Sequence, residues 1–103
     1  MTEKILPRPV VRDGNGKLAT DYSPRDWFLK LQEEIFEVME VQADIDRDWN
    51  GRGYDDVAEE IADVITVCIS WLESLGYDEK ARSELFAKVN EKNEKRDYFK
   101  EYD

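Results

Sequence analysis

The chain has 103 residues, of which 41% are apolar and 39% charged, with a formal net charge of -10. That length holds one domain, the apolar share supports a folded core and the charge a wide wetted surface, so a soluble globular protein is expected. So acidic a surface argues against nucleic acid and against an anionic membrane as direct partners, and a phosphate ligand would need a divalent cation to mediate.

A single cysteine, Cys68, excludes an internal disulfide, and the absence of histidine removes the usual zinc sets and the Glu-x-x-His di-iron pattern. Any metal is therefore expected on oxygen. Met1 to Thr20 holds no apolar run of signal-peptide length, and no stretch approaches the roughly 20 apolar residues of a membrane span, which favours a cytoplasmic protein.

Residues 1–22 read as an N-terminal arm, extended or closed into a small hairpin at Asp13-Gly14-Asn15-Gly16, because Asp-Gly and Asn-Gly pairs are strong turn formers. A helical domain follows over residues 23–98, and a charged, fraying tail over 99–103. Ser23 can cap a first helix, Pro24 suits its first position and Asp26 favours its dipole, so helix one is expected from Pro24 to about Arg47. Its apolar line is Trp27, Phe28, Leu31, Ile35, Val38, Met39 and Ile45, with Gln42 as the one polar member. Glu34 and Glu37 project from the flank of that line. The connection to the next helix carries Arg47, Trp49, Gly51, Arg52, Gly53 and Tyr54 and has no periodicity.

Helix two is expected to start near Asp55 or Asp56 and to end before Gly76. Its second half, from Ile61 to Leu75, is apolar nearly all round, with Cys68 and Trp71 assigned to the core. A helix apolar on every side must be enclosed on every side, so a second copy of the chain is expected to complete the core. Helix three is capped by Asp78 and expected to run from Glu79 to about Tyr98. Leu85, Phe86 and Val89 form its inward stripe, and the same spacing continued lands on Asn93 and Arg96. The fold class is thus all-α, a helical bundle completed by homo-oligomerisation.

The acids carry the chemistry. Glu33, Glu34, Glu37 and Glu40 repel one another on one helix, with only Lys30 near enough to relieve them. Glu59, Glu60 and Asp63 repeat the spacing on the next helix. Short-looped helices are antiparallel neighbours, so Glu34, Glu37, Glu60 and Asp63 can converge on a hard cation that takes oxygen ligands. Glu33 and Glu59 would then be outer ligands or a base for an attacking water. The plainer alternative is a set of solvated carboxylates in an acidic protein. Lys88, Lys92, Asn93, Lys95 and Arg96 are candidates for phosphate; the plainer alternative is that Lys88, Lys92 and Lys95 are solvated, which suits Lys95 better, and that Arg96 pairs with an acid at the helix end. Trp27, Trp49 and Tyr54 suit packing better than base stacking, and Arg47 and Arg52 are either surface residues or phosphate contacts.

Glu33-Glu34-x-x-Glu37, then Glu60-x-x-Asp63, then Lys92-Asn93-x-x-Arg96, resembles the MazG-like all-α nucleoside triphosphate pyrophosphohydrolases over about residues 24–98. The resemblance implies Mg²⁺, or Mn²⁺, on Glu34, Glu37, Glu60 and Asp63, with Glu33 as accessory acid and Lys92, Asn93 and Arg96 on the phosphates. It further implies a homodimer or homotetramer, and attack of water on the α-phosphorus to give nucleoside monophosphate and pyrophosphate. Two other functions fit the same residues: a non-catalytic helical oligomer that binds a nucleotide or a protein partner, and a pyrophosphohydrolase of phosphoribosyl nucleotides.

Overall fold

Ser23 opens the first helix through a reciprocal cap. Its Oγ accepts the Asp26 N–H at 3.2 Å and Asp26 Oδ2 accepts the Ser23 N–H at 2.9 Å, with Pro24 at the first helical position. The computed structural model describes residues 5–101. Among them it is all-helical: a short 3₁₀ turn Ala19–Asp21, then α1 Pro24–Asp46, α2 Tyr54–Ser74 and α3 Glu79–Lys95. The first four residues of the expected arm and the last two of the tail lie outside the described residues. No helix among those described is long and apolar enough to cross a membrane.

The helix ends follow local chemistry closely. α2 starts one residue before the expected point because Asp56 Oδ2 accepts the Gly53 N–H at 2.8 Å. Gly76, at φ 92°, takes the left-handed backbone that ends α2, and Asp78 Oδ1 accepts the Ala81 N–H at 2.9 Å to start α3. α3 stops at Lys95, short of the expected Tyr98. There Asp97 turns left-handed at φ 58° and the Tyr98 N–H returns to the Asn93 carbonyl at 3.0 Å, which closes the helix.

α1 and α2 pack along each other antiparallel, with Trp27 at the start of α1 against Trp71 at the end of α2, ring centroids 6.3 Å apart. Trp27, Val41, Val67 and Ile69 are the buried apolar residues. The packed face of α1 differs from the expected line. It runs through Trp27, Leu31, Glu34, Val38 and Val41, whereas Phe28, Ile35 and Met39 are exposed. α1 carries two apolar stripes, and the one that contains Glu34 faces α2. Cys68 is a second correction: it is exposed, on a side of α2 shared with Ile61, Ile65 and Leu75 that nothing among the described residues covers.

Residues 5–18 form no helix. Arg12 and Leu18 make one antiparallel bridge around the turn that follows Asp13, and the Val10 N–H donates to the buried Ser70 Oγ of α2 at 3.0 Å. The segment therefore crosses α2 and covers part of it. α3 packs along neither α1 nor α2. Its tie to α2 is the buried Arg82, whose guanidinium donates to the Glu73 carboxylate and, at 2.7 Å, to the Tyr77 carbonyl.

Candidate functional site

The antiparallel pairing sets Glu37, late in α1, opposite Glu60, early in α2, with Glu34 one turn back on the packed face. One carboxylate oxygen from each of Glu34, Glu37 and Glu60 lies within 4.8 Å of the others. Three acids held this close repel one another, so the chain must offset the cost. Lys30 does part of this, its Nζ lying 3.3 Å from Glu34 Oε1 and 3.8 Å from Glu33 Oε2.

Burial raises the pKa of Glu34, the Lys30 hydrogen bond draws it back, and the adjacent Glu37 raises it again, leaving it above the ordinary carboxylate value. For Lys30, burial disfavours the charge, but Glu33, Glu34 and Glu37 outweigh it and the pKa is raised. Glu60 Oε2 is buried with no hydrogen-bond partner among the described residues. A buried carboxylate oxygen is normally satisfied by a donor or a cation. The donor set, all hard oxygen and with one buried oxygen unpartnered, fits Mg²⁺ or Mn²⁺.

The remaining expected site residues are placed less tightly. Asp63 is outside the three-acid cluster, but shares with Glu34 the lining of a neighbouring cavity. Glu33 is exposed beside Lys30, and Glu59 is exposed. Lys92 and Arg96 line an open groove on α3 with Leu85, Lys88, Val89, Glu91 and Lys95, which includes none of Glu34, Glu37 and Glu60. Asn93 is half-buried, while Arg96 is exposed and sits over the Tyr98 ring at 5.9 Å. Lys95 pairs with Glu91 on the surface at 3.2 Å, as a solvated lysine does. Of the aromatics, Trp27 is core and Trp49 and Tyr54 are exposed. Arg52 pairs with Asp44 at 3.7 Å, and Arg47 is exposed at the end of α1.

Two features of the site are not among the residues expected from the sequence. The first is the direct pair of Lys30 with Glu34, for which the i,i+4 spacing is the sequence signal. The second is a cavity of about 280 Å³ between the N-terminal turn and the α1–α2 pair, lined by Asp13, Tyr22, Trp27, Lys30, Glu34 and Asp63 among others. Asp13 organises its outer wall. Its Oδ1 accepts the N–H groups of Asn15 and Lys17, each at 2.9 Å, and its Oδ2 accepts the Tyr22 hydroxyl at 2.7 Å.

The Tyr22 hydrogen bond is the largest influence that holds Asp13 below the ordinary carboxylate value. Burial, then that hydrogen bond, pushes Tyr22 from 10.0 up to about 12. A group raised on folding contributes stability that is complete below its unfolded pKa and is lost as pH rises through the folded one. Stability is therefore expected to fall between pH 10 and about 12. The Tyr22 share is on the order of 1 kcal/mol after solvent screening. Urea midpoints of the wild type and Tyr22→Phe across that range check it, since the substitution should flatten this share of the loss.

No family model matches the chain, and no curated protein and no solved structure matches it either.

Proposed function

We propose that the protein is a Mg²⁺- or Mn²⁺-dependent nucleoside triphosphate pyrophosphohydrolase of the MazG-like kind, acting in the cytoplasm. The convergence of Glu34, Glu37 and Glu60, with the buried Glu60 Oε2 left unpartnered, carries this reading. These three residues would hold the ion, with Asp63 as the fourth acid. When bound, the ion lowers the pKa of a coordinated water and neutralises charge on the departing pyrophosphate. Glu33 stands beside the cluster as an accessory acid that can take the proton of the attacking water. The water oxygen bonds to the α-phosphorus, the α–β bridging oxygen leaves with pyrophosphate, and the nucleoside monophosphate remains.

Lys92, Asn93 and Arg96 are assigned to the phosphates. Because α3 packs along neither α1 nor α2, these residues come to the acids of a second copy in a homodimer or homotetramer. The uncovered stripe of Ile61, Ile65, Cys68 and Leu75 on α2, with Phe28, Ile35 and Met39 on α1, supports that assembly, since water-exposed apolar rows of this spacing call for a partner. Ile65→Asp should weaken self-association by about two orders of magnitude, a charge in an interface core costing several kcal/mol. Sedimentation velocity over a concentration series reads this out. An unchanged assembly mass would place the interface elsewhere.

The activity is tested with a panel of nucleoside triphosphates and Mg²⁺, with the products identified. Monophosphate plus pyrophosphate, lost in Glu37→Ala and Asp63→Ala with helical content kept, supports the assignment. Diphosphate plus inorganic phosphate, or no turnover at all, overturns it.

A further inference from the structure

We infer that the cavity between the N-terminal turn and the α1–α2 pair seats the nucleobase of the substrate, so that residues 10–19 act as a recognition wall. This rests on the nucleotide reading above. Glu34 belongs both to the acid cluster and to the cavity lining, so whatever occupies the cavity lies directly beside the proposed reacting centre. A single ligand can therefore reach from the cavity to a cation held by the acids.

The walls restrict its chemistry. Val10, Ala19 and Val67 present apolar surface, Trp27 closes the interior, and Arg12 and Asp13 stand on the N-terminal side. A bare phosphate or pyrophosphate has no use for apolar walls, and it meets three carboxylates, Asp13, Glu34 and Asp63, against two cations, Arg12 and Lys30, the second already paired with Glu34. An acyl chain gains nothing from so many charges, and about 280 Å³ is at the small end of the range for organic ligands. One planar heterocycle meets every condition, having apolar faces for Val10 and Val67 and a hydrogen-bonding edge for charged groups.

Asp13 suits the edge position. Tyr22 and the two turn amides fix its carboxylate and hold it ionised, so it presents an acceptor to an amino or imino N–H of a base. The turn itself is tied down through Ala19 N–H to the Val11 carbonyl at 2.8 Å and Val10 N–H to Ser70 Oγ at 3.0 Å, so the wall is preformed.

The test uses the full chain and needs no turnover. Amide chemical shifts are recorded while adenosine, cytidine, guanosine and uridine monophosphates and their deoxy forms, or inorganic pyrophosphate, are added with a chelator present. At least one monophosphate should move the amides of Asp13, Gly14 and Ala19, and pyrophosphate should not. Ala19→Leu, which fills the cavity, should weaken that monophosphate roughly tenfold or more. Thermal melting establishes that this variant folds, and Val10→Phe serves the same purpose if it does not.

If every monophosphate moves only residues around Lys30 and Glu34, or binds a folded cavity-filled variant as tightly as the wild type, the inference is overturned while hydrolysis remains an independent question. If monophosphates bind at the turn but no triphosphate is cleaved, the cavity assignment stands and the hydrolase falls.

Discussion

Glu60→Gln is expected to abolish magnesium-dependent pyrophosphate release, by roughly a hundredfold or more, while raising the melting temperature of the metal-free protein. The two effects share one cause. Glu60 Oε2 is buried without a partner, and its carboxylate stands within 4.8 Å of those of Glu34 and Glu37. An amide of the same shape removes a charge from that crowd and brings an N–H that an adjacent carboxylate oxygen can accept. Relief of an unsatisfied group is worth about 1–2 kcal/mol, or several degrees in a chain of this size.

Glu34 adds to the strain in the same direction. Its pKa is raised on folding, so what it contributes is complete below the ordinary value of 4.5 and is lost as pH rises through the folded value. The cluster is thus destabilising when empty at neutral pH, and Mg²⁺ should raise the melting temperature of the wild type but not that of Glu60→Gln. Calorimetric scans with and without Mg²⁺, beside a pyrophosphate assay, decide the matter. A variant that melts lower and still releases pyrophosphate would end the metal assignment.

Trp27→Ala carries the largest expected loss of stability, about 3–5 kcal/mol. Trp27 is 2% exposed, stacks parallel to Trp71, and meets the Tyr22 ring at 4.7 Å, so its removal opens a void where α1, α2 and the N-terminal segment meet. Against a total of about 5–15 kcal/mol, that leaves the fold marginal. The neighbouring Phe28 is a control. It is 58% exposed and touches Trp71 only edge-on, so Phe28→Ala should cost the isolated chain about 1 kcal/mol or less. Guanidinium unfolding at low protein concentration compares them, and equal losses would contradict the packing described above.

The helices were legible because their ends are local chemistry. Ser23, Gly76 and Asp78 act within a few residues of themselves, and the all-α class followed. Which face of α1 meets α2 was not legible. Phe28, Ile35 and Met39 repeat at helical spacing as well as Trp27, Leu31 and Val38 do, and the choice between the stripes is made by tertiary contact. The packed stripe also contains Glu34, which an apolar rule discards, since Lys30 carries part of the cost of its burial. The same rule points Cys68 inward, although a helix apolar on all sides within a single chain must leave one side open.

The meeting of Glu34, Glu37 and Glu60 followed from spacing and antiparallel pairing. Asp63 fell outside their cluster because a turn of helix carries it further along the groove. The cavity was invisible, since Val10 and Asp13 lie far along the chain from Asp63 and Val67 and no periodicity links them. The one hint was a strong turn at Asp13-Gly14-Asn15-Gly16 shortly before Tyr22.

Arg82 sets an angle as well as a contact. By clasping Glu73 and the Tyr77 carbonyl it stiffens the elbow from which α3 departs, and α3 then stands out as an outrigger about 25 Å long. A swing of ~10° at such an elbow carries the far tip through about 4 Å, more than the length of a hydrogen bond. The reach of Lys92 and Arg96 is therefore governed by a guanidinium near the opposite end of their helix, and loosening that joint would misplace them without altering any atom nearby.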